Sequence, residues 1–472
     1  MQAYISVIER PFKYQPLNGR CIYFIGIGGI GMSAVARILI KEGYTVVGSD
    51  IRSSSLTYSL EKMGAKIYTK QDGSCMTSET DTVVISAAIT EDNPDLITAR
   101  KMGIKVVKYS QILGSLMKQK QGIAISGTHG KTTTSAMIST ILKTAGLDPT
   151  FVIGGEVPDI GGNSYLGRGK FFVAEACEYD SSFLNLTPQV GVITNIEEDH
   201  LDYYENIEKI INAFGEFASL ISEEGLLVVN NHDNNIPIAL KRAKCKVETF
   251  SLDKSSDWRA ERISTINGTN KFRIYRKDNY FGDFSLRIPG YHNILNALAA
   301  TAVCTFVGVD KDTINLSLAS YNGANRRFQI IGIRNNITII DDYAHHPTEI
   351  YVTLKAAREF YPNKKLWCVF QPHQYSRTRR LLKGFATSFK NADKVILADI
   401  YAARDSECEQ AAINITRLCE EIKNSGTDVQ CIPKLNDIIN ALLSNIEPGD
   451  IVITMGAGDI WKVSNELVLS LK

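Results

Sequence analysis

The stretch Ser126-Gly-Thr-His-Gly-Lys-Thr-Thr-Thr134 constrains this chain more than any other. A short apolar run, Gly122 to Ser126, precedes it, and a helix-like segment runs on from Thr133 to Lys143. Strand, glycine turn and helix N-terminus in that order surround a phosphate site with backbone N–H groups and the positive end of a helix dipole. Lys131 is then placed to reach β- and γ-phosphates, and the Thr132 hydroxyl to ligate Mg²⁺. The usual pattern has a glycine six residues before the lysine; here that position is Ile125 and the first glycine is Gly127, so the loop is a shortened variant. The segment predicts an ATP site made by Ser126, Gly127, Thr128, His129, Gly130, Lys131, Thr132 and Thr133.

A chain of 472 residues has room for several domains around such a site. Its net charge of +1, with both signs interspersed, offers no field for nucleic acid or an anionic membrane. Nine cysteines without a C-x-x-C pair or regular spacing point to a reducing compartment and argue against a disulfide framework. Cys21 to Ile40 is apolar and about as long as a membrane span, but Gly26, Gly28, Gly29, Gly31 and Arg37 punctuate it. The expectation is a cytoplasmic protein with no membrane insertion.

That segment contains Gly26-Ile-Gly28-Gly29-Ile30-Gly31, a G-x-G-x-x-G between the strand-like Cys21–Ile25 and a helical run to Glu42. A second strand, from Thr45, ends at Asp50, the acidic position of a dinucleotide fold. Further alternation (helix 56–63, strand 82–86, helix 95–102, strand 105–109) predicts a Rossmann-like parallel sheet in a first domain, residues 1–115. The glycines predict a bound pyrophosphate but leave NAD, FAD and a UDP-sugar open.

The second domain, 116–322, reads as a P-loop ATPase-like α/β unit. Lys170–Glu175 and Val190–Asn195 are buried parallel strands, and their polar ends offer Glu175 and His200 as Mg²⁺ contacts beside the phosphates. From Val247 to Ile288 short alternating segments predict antiparallel strands. His292, Asn293 and Asn296 then cluster in the first turn of a helix, where they either face a base or phosphate or cap the helix. A third Rossmann-like α/β domain, 323–472, follows. Two of its strands end in Asp341-Asp-Tyr-Ala-His345-His-Pro and Gln371-Pro-His373-Gln-Tyr-Ser-Arg377, which read as an active-site wall. Of seven histidines, only His232 lies outside these motifs.

GIGGIGMS, SGTHGKTTT, EACEYDSSF, TNIEEDHLD, GYHNILNALAA, RRFQ, DDYAHHPTEI, FQPHQYSRT and MGAGDI, in this order, resemble the Mur ligase family along nearly the whole chain. The resemblance implies an N-terminal domain for a UDP-sugar, a central domain for ATP and a C-terminal domain that closes over both. It selects UDP over NAD, and implies ATP-driven joining of L-alanine to UDP-N-acetylmuramate through an acyl phosphate, an early step of peptidoglycan synthesis. The alternatives are attachment of a tripeptide to the same sugar and, from another class, an NAD-linked oxidoreductase, which leaves the C-terminal histidine loops without a task. By resemblance Lys131, Glu175, His200 and His345 are catalytic, with Mg²⁺ on Thr132, Glu175 and His200. ATP would further contact His292, Asn293, Asn296, Arg327 and Asp342. Gly28, Gly29, Ile30, Gly31, Ser33, Asp50 and Ser86 would hold the UDP-sugar, and Tyr343, His345 and Arg377 the L-alanine. Two departures bear on this: Gln374 stands where many relatives carry an arginine, and residues 210–222 lack the lysine that sibling ligases carbamoylate.

Overall fold

The structure, a computed structural model, describes residues 20–266, 268–403 and 405–471. Residues 1–19 of the expected first domain and Lys472 of the third lie outside the described residues. The described chain forms three sheets in sequence order.

The first sheet has five strands in the order Lys66–Tyr68, Thr45–Ser49, Cys21–Ile25, Thr82–Ile85, Lys105–Lys108, all parallel. Its central strand is covered on both faces, with Tyr23 and Phe24 fully buried, as expected of an apolar run in a parallel sheet. The apolar segment that follows resolves into that strand, a glycine turn and the helix Ile30–Lys41. Among the described residues no helix is long and apolar enough to cross a membrane.

The second sheet has ten strands. In spatial order they are Asn279–Leu286, Thr269–Arg276, Trp258–Ile266, Lys246–Ser251, Leu226–Asn230, Pro188–Ile193, Gln121–Ser126, Phe171–Glu175, Thr150–Val152 and Ser164–Tyr165. The expected antiparallel segment is a three-strand meander, 258–286, at one edge. Lys246–Ser251, expected to belong to it, instead runs parallel to both neighbours, because a helical crossover over 236–242 delivers it in the parallel sense. The helix Lys131–Thr144 is buried on all sides from Thr132 to Leu142 and packs on Tyr291–Phe306.

The third sheet runs Gln329–Arg334, Ile337–Asp342, Ile451–Met455, Leu366–Phe370, Lys394–Leu397, Val429–Cys431. Its first strand is an antiparallel edge that the apolar pattern did not reveal. The hairpin turns on Asn335 and Asn336, both at positive φ (49° and 63°), the backbone that a two-residue turn between twisted strands requires.

The cores divide unevenly. One apolar cluster joins Ile22, Phe24 and Leu113 of the first domain to Ala124, Phe172, Phe183 and Phe214 of the second. The third domain has separate clusters on the two faces of its own sheet.

Candidate active site

The P-loop strand Gln121–Ser126 lies between Pro188–Ile193 and Phe171–Glu175, so three strands deliver their carboxyl ends to one place. Gly127 (φ 135°) and Gly130 (φ 83°) form the turn. A Cβ on Gly127 would meet Thr194 Oγ1 at 1.9 Å, and one on Gly130 would meet Asn296 Oδ1 at 2.7 Å. Both therefore require glycine. The loop is tied to the neighbouring strand end: Thr128 N donates to Asn195 O (3.1 Å) and His129 N to Asn195 Oδ1 (2.8 Å). Lys131 Nζ folds back onto Gly127 O and Thr128 O and meets both oxygens of Glu178 at 3.0 Å.

Glu175 closes the adjacent strand. Its carboxylate accepts from Gly154 N, and burial pushes its carboxyl above the usual range despite Gly154, Lys131 and Arg327. Thr132 Oγ1 receives a long contact from Arg327 Nη2 (3.4 Å). His200 packs against Tyr179 (ring centroids 4.9 Å apart), and its Nδ1 is buried without a hydrogen-bond partner among the described residues. Hydroxyl and carboxylate oxygens suit Mg²⁺. A buried acid short of counter-charge, with an unpartnered imidazole nitrogen in the same cavity, fits a cation there.

The C-terminal wall is assembled on the helix Pro347–Phe360. Glu349, in its first turn, accepts from His345 N (3.0 Å) and His346 N (3.3 Å). Glu349 also contacts His129 Nδ1 at 3.1 Å, across the boundary between second and third domains. Burial opposes a charge on His129, but Glu349 and Glu197 outweigh it and lift the imidazole to about 9. His345 goes the other way: burial lowers it to about 4, and its Nδ1 lies 3.0 Å from Tyr343 O. Burial likewise lowers His292 to about 4 and raises Asp342 to about 6. Thr348 Oγ1 donates to Glu197 Oε2 (2.6 Å), and His346 Nε2 lies 3.2 Å from Glu198 O. Arg377 reaches Asp199 Oδ1 through Nε (3.2 Å) and Nη2 (3.0 Å).

Two cavities gather most of the expected residues. The larger, about 510 Å³, is lined by Gly29, Ile30, Gly31 and Ser86 of the first domain and by Thr128 to Thr132, Glu175 and His200 of the second. Arg327, Tyr343, His345 and Arg377 of the third complete it. The smaller, about 150 Å³, opens on the other side of His129 and Gly130 and is lined by Thr133, His292, Asn293, Asn296, Arg327 and Asp342. Asn293 and Asn296 are linked to each other (3.2 Å), and Asn293 Nδ2 also donates to Pro289 O (2.6 Å). Asp342 accepts from Phe328 N and Ala344 N, both at 2.7 Å, so its carboxylate also shapes the entry to the third domain.

Ser126, Gly127, Gly28, Ser33 and Asp50 line neither cavity. Ser126 and Ser33 are buried supports, the latter donating to Ile30 O (3.1 Å). Asp50 Oδ2 accepts from Gly28 N (2.8 Å), which sets the acid against the glycine turn. The loop is braced from the second domain, since Asn163 Nδ2 donates to Ile30 O (2.9 Å) and Arg37 Nη1 donates to Asn163 Oδ1 (2.8 Å). The residues that sequence reasoning missed are the acids behind these groups: Glu178, Glu197, Asp199 and Glu349. Each stands within three or four residues of one already chosen, and that proximity is the signal that could have found them.

Comparison with known proteins finds three family models along the chain. Residues 21–121 match the Mur ligase family catalytic domain, 125–304 the Mur ligase middle domain, and 326–458 the Mur ligase glutamate ligase domain. The chain is 48% identical over 452 residues to the UDP-N-acetylmuramate–L-alanine ligase of Acetivibrio thermocellus, covering 95% of each. Among solved structures it resembles the UDP-N-acetylmuramate-alanine ligase of Thermotoga maritima, with TM-score 0.82, 29% identity, and 95% of this chain and 98% of that one covered. It also resembles a murein peptide ligase of Psychrobacter arcticus, with TM-score 0.73, 27% identity, and 96% and 99% covered. With all three family models matched in sequence order and a ligase 48% identical over 95% of the chain, the chain belongs to the Mur ligase family.

Proposed function

We propose that this protein joins L-alanine to the lactyl carboxylate of UDP-N-acetylmuramate with cleavage of ATP to ADP and phosphate, an early cytoplasmic step of peptidoglycan synthesis. The observation that carries the reading is the larger cavity, where the glycine loop, Lys131 and the His345–Arg377 wall face a common space. A carboxylate does not accept an amine at neutral pH, so its oxygen first attacks the γ-phosphorus and ADP leaves. The amine of L-alanine then attacks the acyl phosphate, phosphate leaves, and the amine gives up a proton.

The first step is a matter of positioning and of neutralising charge on the transferred group. Lys131 and the P-loop N–H groups hold the phosphates, with the adenosine toward His292, Asn293, Asn296, Arg327 and Asp342. Mg²⁺, held by Thr132, Glu175 and His200, would neutralise phosphate charge. The UDP-sugar lies along Gly29, Ile30, Gly31 and Ser86, with Gly28, Ser33 and Asp50 shaping the loop behind them. For the second step, His345 is neutral near pH 7. With Nδ1–H committed to Tyr343 O, its Nε2 offers a lone pair to the amine. Tyr343 flanks the same space, and Arg377 takes the alanine carboxylate. On this reading residues 1–115, 116–322 and 323–472 are the UDP-sugar, ATP and amino-acid units.

Phosphate release from ATP, with UDP-N-acetylmuramate present, tests the proposal. Release with L-alanine and not with a tripeptide or without acceptor is expected. Release only with the tripeptide would keep the chemistry and change the acceptor; release with neither would remove the UDP-sugar assignment.

A further inference from the structure

Glu178 follows Glu175 by three residues and has no task in the reaction just described. Its side chain is only 4% exposed. Both its oxygens bond Lys131 Nζ at 3.0 Å, and Oε1 lies 3.9 Å from His200 Nε2. Its backbone carbonyl is fixed by the Tyr204 hydroxyl. Lys131 and His200 line the larger cavity, while Glu178 stands behind them. One buried carboxylate thus backs both the ammonium offered to phosphate and the imidazole assigned to the cation.

The two ring nitrogens of His200 differ. Nε2 faces acids on two sides, Glu178 Oε1 at 3.9 Å and Asp199 Oδ2 at 3.8 Å, whereas Nδ1 is buried with no partner among the described residues. Carboxylates around Nε2 favour the tautomer that carries its proton there, which leaves the Nδ1 lone pair for a ligand. A carboxylate behind a histidine that turns its other nitrogen to a metal is the usual outer-shell arrangement of metal sites. A buried negative charge close to phosphates is also repulsive unless cations lie between them, and Lys131 supplies one positive charge for both.

We propose that Glu178 is a positioning residue common to the phosphate and metal subsites: it holds Lys131 at the loop and sets His200 to bind Mg²⁺ through Nδ1. The inference rests on the assignment of His200 as a metal ligand and is independent of which acceptor the enzyme uses.

The test is Mn²⁺ binding to the full-length protein with a non-hydrolysable ATP analogue, followed by electron paramagnetic resonance. Glu178→Gln keeps the size and an acceptor for Lys131 but removes the charge. It is expected to weaken Mn²⁺ roughly 10-fold or more, as outer-shell substitutions do. His200→Gln should weaken it at least as much, and the double variant no further, because Glu178 acts on the metal through His200. Glu178→Asp should recover some of the affinity. Wild-type Mn²⁺ affinity in a folded Glu178→Gln protein would overturn the proposal, as would additive losses in the double variant, which would mean that Glu178 acts through Lys131 alone. Retained UDP-sugar binding and an unchanged melting temperature identify a folded variant. Failure of alanine-dependent phosphate release would leave this readout intact, so the two proposals fail separately.

Discussion

Arg377 and Asp199 form an ion pair between the third and second domains, with Nη2 and Oδ1 3.0 Å apart and both side chains 9% exposed. Burial works against the charge on Asp199, but His200 and Arg377 hold its carboxyl well below the usual carboxylate range. The guanidinium proposed to clamp the alanine carboxylate is therefore already fixed in direction by an acid.

Arg377→Ala should raise the KM for alanine about 10- to 100-fold, from the loss of a charge-assisted hydrogen bond worth about 1.5–3 kcal/mol. It should also destabilise the protein, since removing one partner of a buried pair costs about 3–5 kcal/mol. Adding Asp199→Asn should recover much of the melting temperature and none of the KM. An unchanged KM in the single variant would place the carboxylate clamp elsewhere.

The His129–Glu349 contact predicts an alkaline weakening of the seam between these domains. His129 is lifted from 6.5 to about 9, so its contribution to stability is complete below pH 6.5 and is lost as pH rises through 9. Melting temperature across pH 6–10 should fall more in the wild type than in His129→Gln. Parallel curves would exclude the pair as the source.

His345, lowered to about 4, should titrate well below neutrality. The acid limb of kcat/KM that it causes is expected near pH 4, with little change between pH 7 and pH 5.5. A limb near pH 6.5 that disappears in His345→Gln would show that the imidazole is not desolvated in the working enzyme.

Lys131→Ala should reduce ATP turnover by about 10³-fold or more, in keeping with electrostatic stabilisation of a transferring phosphoryl group. UDP-sugar affinity by calorimetry should stay the same. Gly127→Ala is expected to match it, because its Cβ would collide with Thr194 Oγ1 at 1.9 Å. Loss of UDP-sugar binding in both variants would contradict separate sites.

The strands, helices and P-loop were readable because each leaves a local trace: an apolar run, a glycine at a turn, a polar cluster at a strand end. The ten-strand sheet was less readable. Lys246–Ser251 has the alternation of a half-exposed strand whether it pairs parallel or antiparallel, and its direction is set by the crossover before it. The Gln329–Arg334 edge carries Ile330, Ile331 and Ile333 yet is half exposed, and the turn that pairs it antiparallel rests on Asn335 and Asn336 with no glycine to mark it. In the site, Lys131 and His345 were legible from motif position. Glu349 read as an ordinary first-turn acid, since its contacts with His129 and Arg327 join residues about 220 and 20 positions away. Asn163 gave no signal because it reaches Ile30 across 133 residues.

The first and second domains share one apolar cluster, and the Tyr109–Met117 helix is pressed so closely on 179–185 that a Cβ on Gly114 would lie 2.0 Å from Asn185 O. The third domain meets the second largely through ion pairs and hydrogen bonds. Dissection of the gene should reflect this asymmetry. A break near residue 324 would divide the chain along a wettable boundary, leaving both pieces able to stay in solution, whereas a break near residue 118 would expose oily surface on both halves and favour inclusion bodies.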